Sequence, residues 1–169
     1  MKIEELVKTA IKNIQKGKGL LDHGHDGRIY SVTDEVVLKL HTGSHHGSPR
    51  IGAQYEFGLG RELHQQGVQV PQYLGLFGPV SLLHQESWGV LMERIHGLEP
   101  AALASSMHQE ALRQYKQQKE LIDRLGYTVK DSKNMYQNTM FDPKQQKLYL
   151  FDLVRWERKQ IAQKNGKNR

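Results

Sequence analysis

The chain contains no cysteine, which excludes a disulfide scaffold, a thiol nucleophile and thiolate metal sites. No apolar run approaches the length of a bilayer span, and the opening MKIEELVKTAIKN lacks the apolar core of a secretory signal. A cytoplasmic protein without a membrane span is the expectation. Apolar residues are scarce too, 37% of 169, so one domain with a modest core is expected. Acidic residues are outnumbered, 18 against 24 Lys and Arg, leaving +6. The stretch RWERKQIAQKNGKNR, residues 155–169, holds six of those cations and one Glu, hence +5, so residues 1–154 carry only about +1. Such a tail is a solvated charge run or a contact for an acidic partner. No aromatic interleaving or base-reading motif points to specific nucleic-acid binding. His23-x-His25 and His45-His46 are the only close histidine spacings. Neither has helical i, i+4 geometry, so no zinc site is expected. A G-x-S-x-G nucleophile elbow is missing as well.

What is there reads as a regular series. Ile3, Leu6, Val7, Ala10 and Ile14 recur at helical spacing and Gly17 stops them. RIYSVT (28–33) and EVVLKLH (35–41) alternate as two strands of a hairpin turning at Asp34. TGSHHGSPR (42–50) is a polar loop, and a helix follows from about Ile51 to Gln66, closed by Gly67. Gly58 and Gly60 sit inside that helix against its regularity. QYLGLFG (72–78) and WGVLMERI (88–95) read as two more strands. A long helix spans Ser106 to Leu125, with Ser106 and Gln109 as a capping box and Leu112, Tyr115, Ile122 and Leu125 along one face. NTMFD (138–142) and KLYLFD (147–152) form a closing hairpin around PKQQ. Trp156 reads as the docking contact of a last helix. The order predicts an α+β fold in two small lobes.

Several side chains in this series carry chemistry. In LDHGHDGRIYSV (21–32), Gly24 and Gly27 suit either a phosphate cradle or a tight turn before a strand. Lys39 stands in an apolar strand, which is costly unless its ammonium meets anions; a solvent-facing edge is the alternative. Glu56 shares a helix face with Leu59, Gly60 and Leu63, from which its carboxylate can pair with Lys39. Glu93 follows a buried-type strand. Asn138 and Asp152 open and end the last hairpin, and a carboxamide beside a carboxylate is a hard-oxygen pair suited to magnesium. Phosphoryl transfer needs a backbone cradle, a lysine for phosphate charge and metal ligands in one place.

In order and spacing these segments resemble the protein-kinase-like superfamily, including the aminoglycoside phosphotransferases, from about Leu20 to Leu153. LDHGHDGRIYSV is similar to L-G-x-G-x-x-G-x-V-Y-x-V, with Asp22 for the first glycine and Ile29 for the first valine. VVLKL resembles the strand bearing the phosphate lysine. YEFGLGRELHQQGVQVPQYLG resembles the helix carrying its glutamate partner, VLMERIHG the hinge whose backbone meets adenine, and NTMFDPKQQKLYLFDL the N-I-L-V-D and D-F-G hairpin. The resemblance implies a bilobal kinase-like domain over 1–169, with a β-rich N-lobe at about 1–95, a reduced C-lobe at about 96–169 and the basic tail. It implies ATP and magnesium as cofactors, Gly24, Gly27, Lys39, Glu56 and Glu93 around the nucleotide, and Asn138 and Asp152 on the metal.

Departures from the family pattern are specific. The catalytic loop H-x-D-x-x-x-x-N has its base five residues before the metal Asn, where this chain has Lys133; the nearest carboxylate, Asp131, is seven before Asn138. Asp131 serves as base only if YTVKDSKNMYQN carries two extra residues, and Lys133 then supports the transferring phosphoryl group electrostatically. Leu153 and Val154 replace Phe-Gly, and only 17 residues follow Asp152. In size the chain resembles minimal kinases among bacterial effectors injected into host cells, the alternative to a cytoplasmic location. The implied activity is phosphotransfer to a protein Ser/Thr hydroxyl. The alternatives are a pseudokinase adaptor, binding nucleotide or a partner without transfer, and a small-molecule kinase.

Overall fold

The computed structural model describes residues 2–23, 27–42, 46–82, 85–129, 136–153 and 156–159. Within them the chain is α+β, built on a five-stranded antiparallel sheet and three α-helices. The first helix, α1 (Ile3–Gln15), buries Leu6, Ala10 and Ile14 as its spacing requires. Strand β1 (Leu20–His23) precedes the expected hairpin of β2 (Gly27–Ser31) and β3 (Val36–His41). It is an addition to the sequence reading, because an exposed four-residue edge carries no apolar alternation. Helix α2 (Pro49–Gln65) starts two residues earlier than its pattern suggests, since Ser48 Oγ accepts the Ile51 N–H at 3.2 Å and Pro49 fits the first turn.

Strands β4 (Tyr73–Leu82) and β5 (Gln85–Glu93) complete the sheet in the order β1-β2-β3-β5-β4. Both run longer than expected. Gly78-Pro79 reads as a stop, yet β4 is an edge strand with a register shift between Phe77 and Val80, where a proline's missing N–H costs little. The sheet is covered on both faces. Leu38, Leu91 and Phe77 pack with α1, while Val37, Val90 and Met92 pack with Ala53, Leu59 and Leu63 of α2. Alternation along β3 therefore turns Lys39 and His41, like Val37, toward the α2 side. This removes the solvent-edge alternative for Lys39, which is 7% exposed.

Helix α3 (Ser105–Arg124) leads to β6 (Tyr127–Val129), to the hairpin β7 (Thr139–Asp142) and β8 (Lys147–Leu150), and to β9 (Trp156–Arg158) paired with β6. Three expectations are corrected here. The cap of α3 is Ala104, without a side-chain bond, so Ser106 and Gln109 form no capping box. The buried face is Ala111, Gln114, Gln118 and Ile122; of the expected line Ile122 belongs to it and Tyr115 and Leu125 pack half-buried at its border, while the two glutamines were not expected. The two glutamines are inside because they satisfy backbone that strands leave open: Gln114 accepts the Leu148 N–H at 2.9 Å and donates to the Gln146 carbonyl at 2.8 Å. Gln118 likewise accepts the Gln69 N–H at 2.8 Å. Finally, Trp156 lies on a strand rather than a helix and is fully buried, with the Tyr55 hydroxyl donating to its carbonyl. Two cations of the basic stretch are spent within the fold, Arg158 on Glu62 and Lys159 on Asp123.

Candidate functional site

A cavity of about 440 Å³ opens between the sheet and the β7–β8 hairpin. Asp22, Gly27 and Ile29 line it from β1 and β2, and Lys39 and Glu56 from β3 and α2. Asn138 and Asp152 line the hairpin side. Glycine is required at Gly27, because a Cβ there would lie 2.4 Å from the Leu40 carbonyl oxygen on the neighbouring strand. Gly24, Asp131 and Lys133 lie outside the described residues. Glu93 does not line the cavity: its carboxylate accepts the Gln72 N–H at 3.1 Å, and its own N–H is bound to the Gln72 carbonyl. Met92 and Glu99 stand on the cavity wall instead.

The ammonium of Lys39 lies 2.9 Å from Glu56 Oε2 and donates to Oε1 at 3.2 Å. It also lies 3.5 Å from Asp152 Oδ1. Asp152 has φ +60°, a left-handed backbone uncommon outside glycine and characteristic of constrained sites. Beside it, the Phe151 N–H binds the Asn138 carbonyl at 2.9 Å, which ties the two hard-oxygen side chains to one end of the hairpin. One carboxylate and one carboxamide fit magnesium, which takes few protein ligands and completes its shell with water and phosphate.

Sequence reasoning missed two residues here. Tyr73 donates its hydroxyl to Glu56 Oε1 at 3.1 Å, and His41 Nε2 lies 3.0 Å from Oε2. The signal for His41 was the period of two from Lys39; Tyr73 left none, because its role depends on where β4 meets α2. Burial raises both acids it surrounds. For the Tyr73 hydroxyl, burial and the Glu56 charge act together and push it well above its ordinary range. For Glu56, burial is opposed by the Lys39 ammonium and by His41, which hold the carboxyl at about 2.

A folded carboxyl held below its ordinary 4.5 stabilises the fold above that value, and the contribution is lost as pH falls toward 2. The shift corresponds to about 3 kcal/mol. Urea melts at pH 7, 5 and 3 are expected to show wild type losing more stability between pH 5 and 3 than Glu56→Gln loses. Parallel losses would reject the assignment.

No protein-family model matches the chain, and no curated protein matches it.

Proposed function

We propose that this protein is an ATP- and magnesium-dependent phosphotransferase, a minimal protein-kinase-like domain acting on a protein Ser/Thr hydroxyl. One observation carries the reading: a buried lysine held between Glu56 (2.9 Å) and Asp152 (3.5 Å) at the wall of a cavity that Asn138 also lines. A lysine so held offers fixed positive charge to phosphate oxygens. On this reading the sheet with α1 and α2 is the N-lobe, and α3 with the β7–β8 hairpin is the reduced C-lobe. Gly27 and Ile29 lie against the nucleotide, Asn138 and Asp152 hold the metal, and the roles left for Asp131 and Lys133 are acceptance of the acceptor proton and electrostatic support of the phosphoryl group. Bound magnesium would supply charge neutralisation between the nucleotide phosphates.

The second reading, a pseudokinase adaptor, is favoured by Asp22, which puts a carboxylate on the cavity wall where an incoming triphosphate is repelled. Thermal melts with ATP, with and without magnesium, separate metal-dependent nucleotide binding from none. A rise of about 5 °C with both and little with ATP alone is expected. Equal shifts in the two conditions count against Asn138 and Asp152 as metal ligands. Transfer of labelled phosphate to a protein acceptor, lost in Asp131→Asn while the ATP-magnesium shift persists, distinguishes the kinase from the adaptor.

A further inference from the structure

We infer that His41 is a positioning residue for phosphotransfer: its imidazole, seated against Gly52 of α2, sets Nε2 3.0 Å from Glu56 Oε2 and fixes the carboxylate that aims Lys39. The inference rests on the phosphotransferase reading and adds a residue to it. Gly52, Glu56 and Gly60 fall four apart and so share one face of α2. The rings of His41 and Tyr73 occupy the recesses that the two glycines leave. A Cβ at Gly52 would lie 3.0 Å from His41 Nδ1, and one at Gly60 would lie 2.2 Å from the Tyr73 ring. Both rings point their polar atoms at the same carboxylate, Tyr73 at Oε1 and His41 at Oε2.

A glutamate's terminal torsion is broad and two-fold, so one contact does not fix its plane. Contacts from opposite sides do. With Tyr73 on one oxygen and His41 on the other, Glu56 presents both oxygens to Lys39 at 2.9 and 3.2 Å. The His41 side chain is 3% exposed. Nε2 and Oε2 are close but out of line for a full hydrogen bond, and neither has a well-aligned bond elsewhere among the described residues. A buried ring nitrogen 3.0 Å from a carboxylate oxygen favours carrying its proton there, since a lone pair facing Oε2 would be repelled.

The test compares His41→Leu, which keeps apolar bulk, with His41→Gln, whose amide returns a donor near the Nε2 position. In steady-state phosphotransfer, His41→Leu is expected to lower kcat about tenfold or more, as for loss of a bond to a charged group, with a smaller change in KM for ATP. His41→Gln should recover most of that loss at a comparable melting temperature. Equal rates in the two variants, or a wild-type rate in His41→Leu, would overturn the inference. Gly52→Ala adds a second probe: a Cβ 3.0 Å from Nδ1 makes the imidazole shift, which should lower kcat, while the gain in helix propensity offsets part of the cost in melting temperature. A rate unchanged in Gly52→Ala, with the ring displaced, would also count against it.

A readout independent of turnover keeps this separate from the proposed activity. Long-range ¹H–¹⁵N NMR of the wild type, with His41 assigned by its absence in His41→Gln, should show a proton on Nε2. A neutral ring protonated on Nδ1 alone would overturn the His41–Glu56 link even in an active enzyme. A protonated Nε2 in a protein that transfers no phosphate would retain the link and reject the phosphotransferase reading.

Discussion

Lys39→Met is expected to lower kcat for phosphotransfer by about a hundredfold to a thousandfold, the range for removing one preorganised charge from a reacting group. Methionine keeps the length and apolar stem of lysine, so packing against the sheet survives and the ammonium alone is lost. The same substitution is expected to destabilise the fold. Glu56 is 1% exposed, and Lys39 is the main opposing influence that keeps its carboxyl ionised against burial. Breaking a buried pair by removing one partner costs about 3 kcal/mol or more, which for a chain of this size lowers Tm by about 6 °C or more. Adding Glu56→Gln to Lys39→Met should return most of the stability, because the orphaned charge goes with it, and none of the activity. A double variant no more stable than Lys39→Met would show that the pair does not act as a unit. Wild-type turnover in Lys39→Met would remove the lysine from the reaction.

The parts of the fold that were legible in the sequence are those whose signal is local. The apolar spacing of α1, the alternation of β2 and β3 about Asp34, and the β7–β8 hairpin are written in consecutive residues. The Lys39–Glu56 pair was legible for a related reason: an apolar strand that carries a lysine demands an anion, and α2 is the next element. What failed to show depends on contacts between distant segments. Gln114 and Gln118 occupy core positions because open backbone groups of β8 and of residue 69 lie across from them, and polar residues at inward positions rotate the apparent apolar face toward Tyr115 and Leu125, its half-buried border. Trp156 pairs with Val129 across the β6–β9 ladder, a partnership with no periodic signature in three-residue strands. Glu93 was expected at the nucleotide from the likeness of VLMERIHG to a hinge; it closes β5, and its carboxylate accepts the N–H of Gln72, just before β4. Gly58 and Gly60 looked alike, as two defects in one helix. Their surroundings separate them.

Gly60→Ala is expected to destabilise the protein by about 2–4 kcal/mol, while Gly58→Ala, two residues away, stabilises it by about 0.5–1 kcal/mol. Both substitutions gain the same helix propensity, since glycine gives up more backbone freedom than alanine on folding. At Gly58, which is exposed, an added Cβ meets nothing within 4 Å, so that gain stands alone. At Gly60 the Cβ would lie 2.2, 2.4 and 2.6 Å from three carbons of the Tyr73 ring, inside any real contact distance. The ring has little room to yield: Tyr73 is 7% exposed, and its hydroxyl is bound to Glu56 at 3.1 Å. Moving it overpacks the space between α2 and β4 and strips a hydrogen bond from a buried carboxylate, and those two costs outweigh the propensity gain. Thermal melts are expected to place Gly60→Ala about 5 °C or more below wild type and Gly58→Ala slightly above it. Tyr73→Leu combined with Gly60→Ala should then be less destabilising than the sum of the two single changes, because the smaller side chain vacates the recess that the new methyl fills. Equal melting temperatures for the two alanine variants would mean that Tyr73 does not sit against Gly60, and with it would fall the seat that this face of α2 provides for the rings around Glu56.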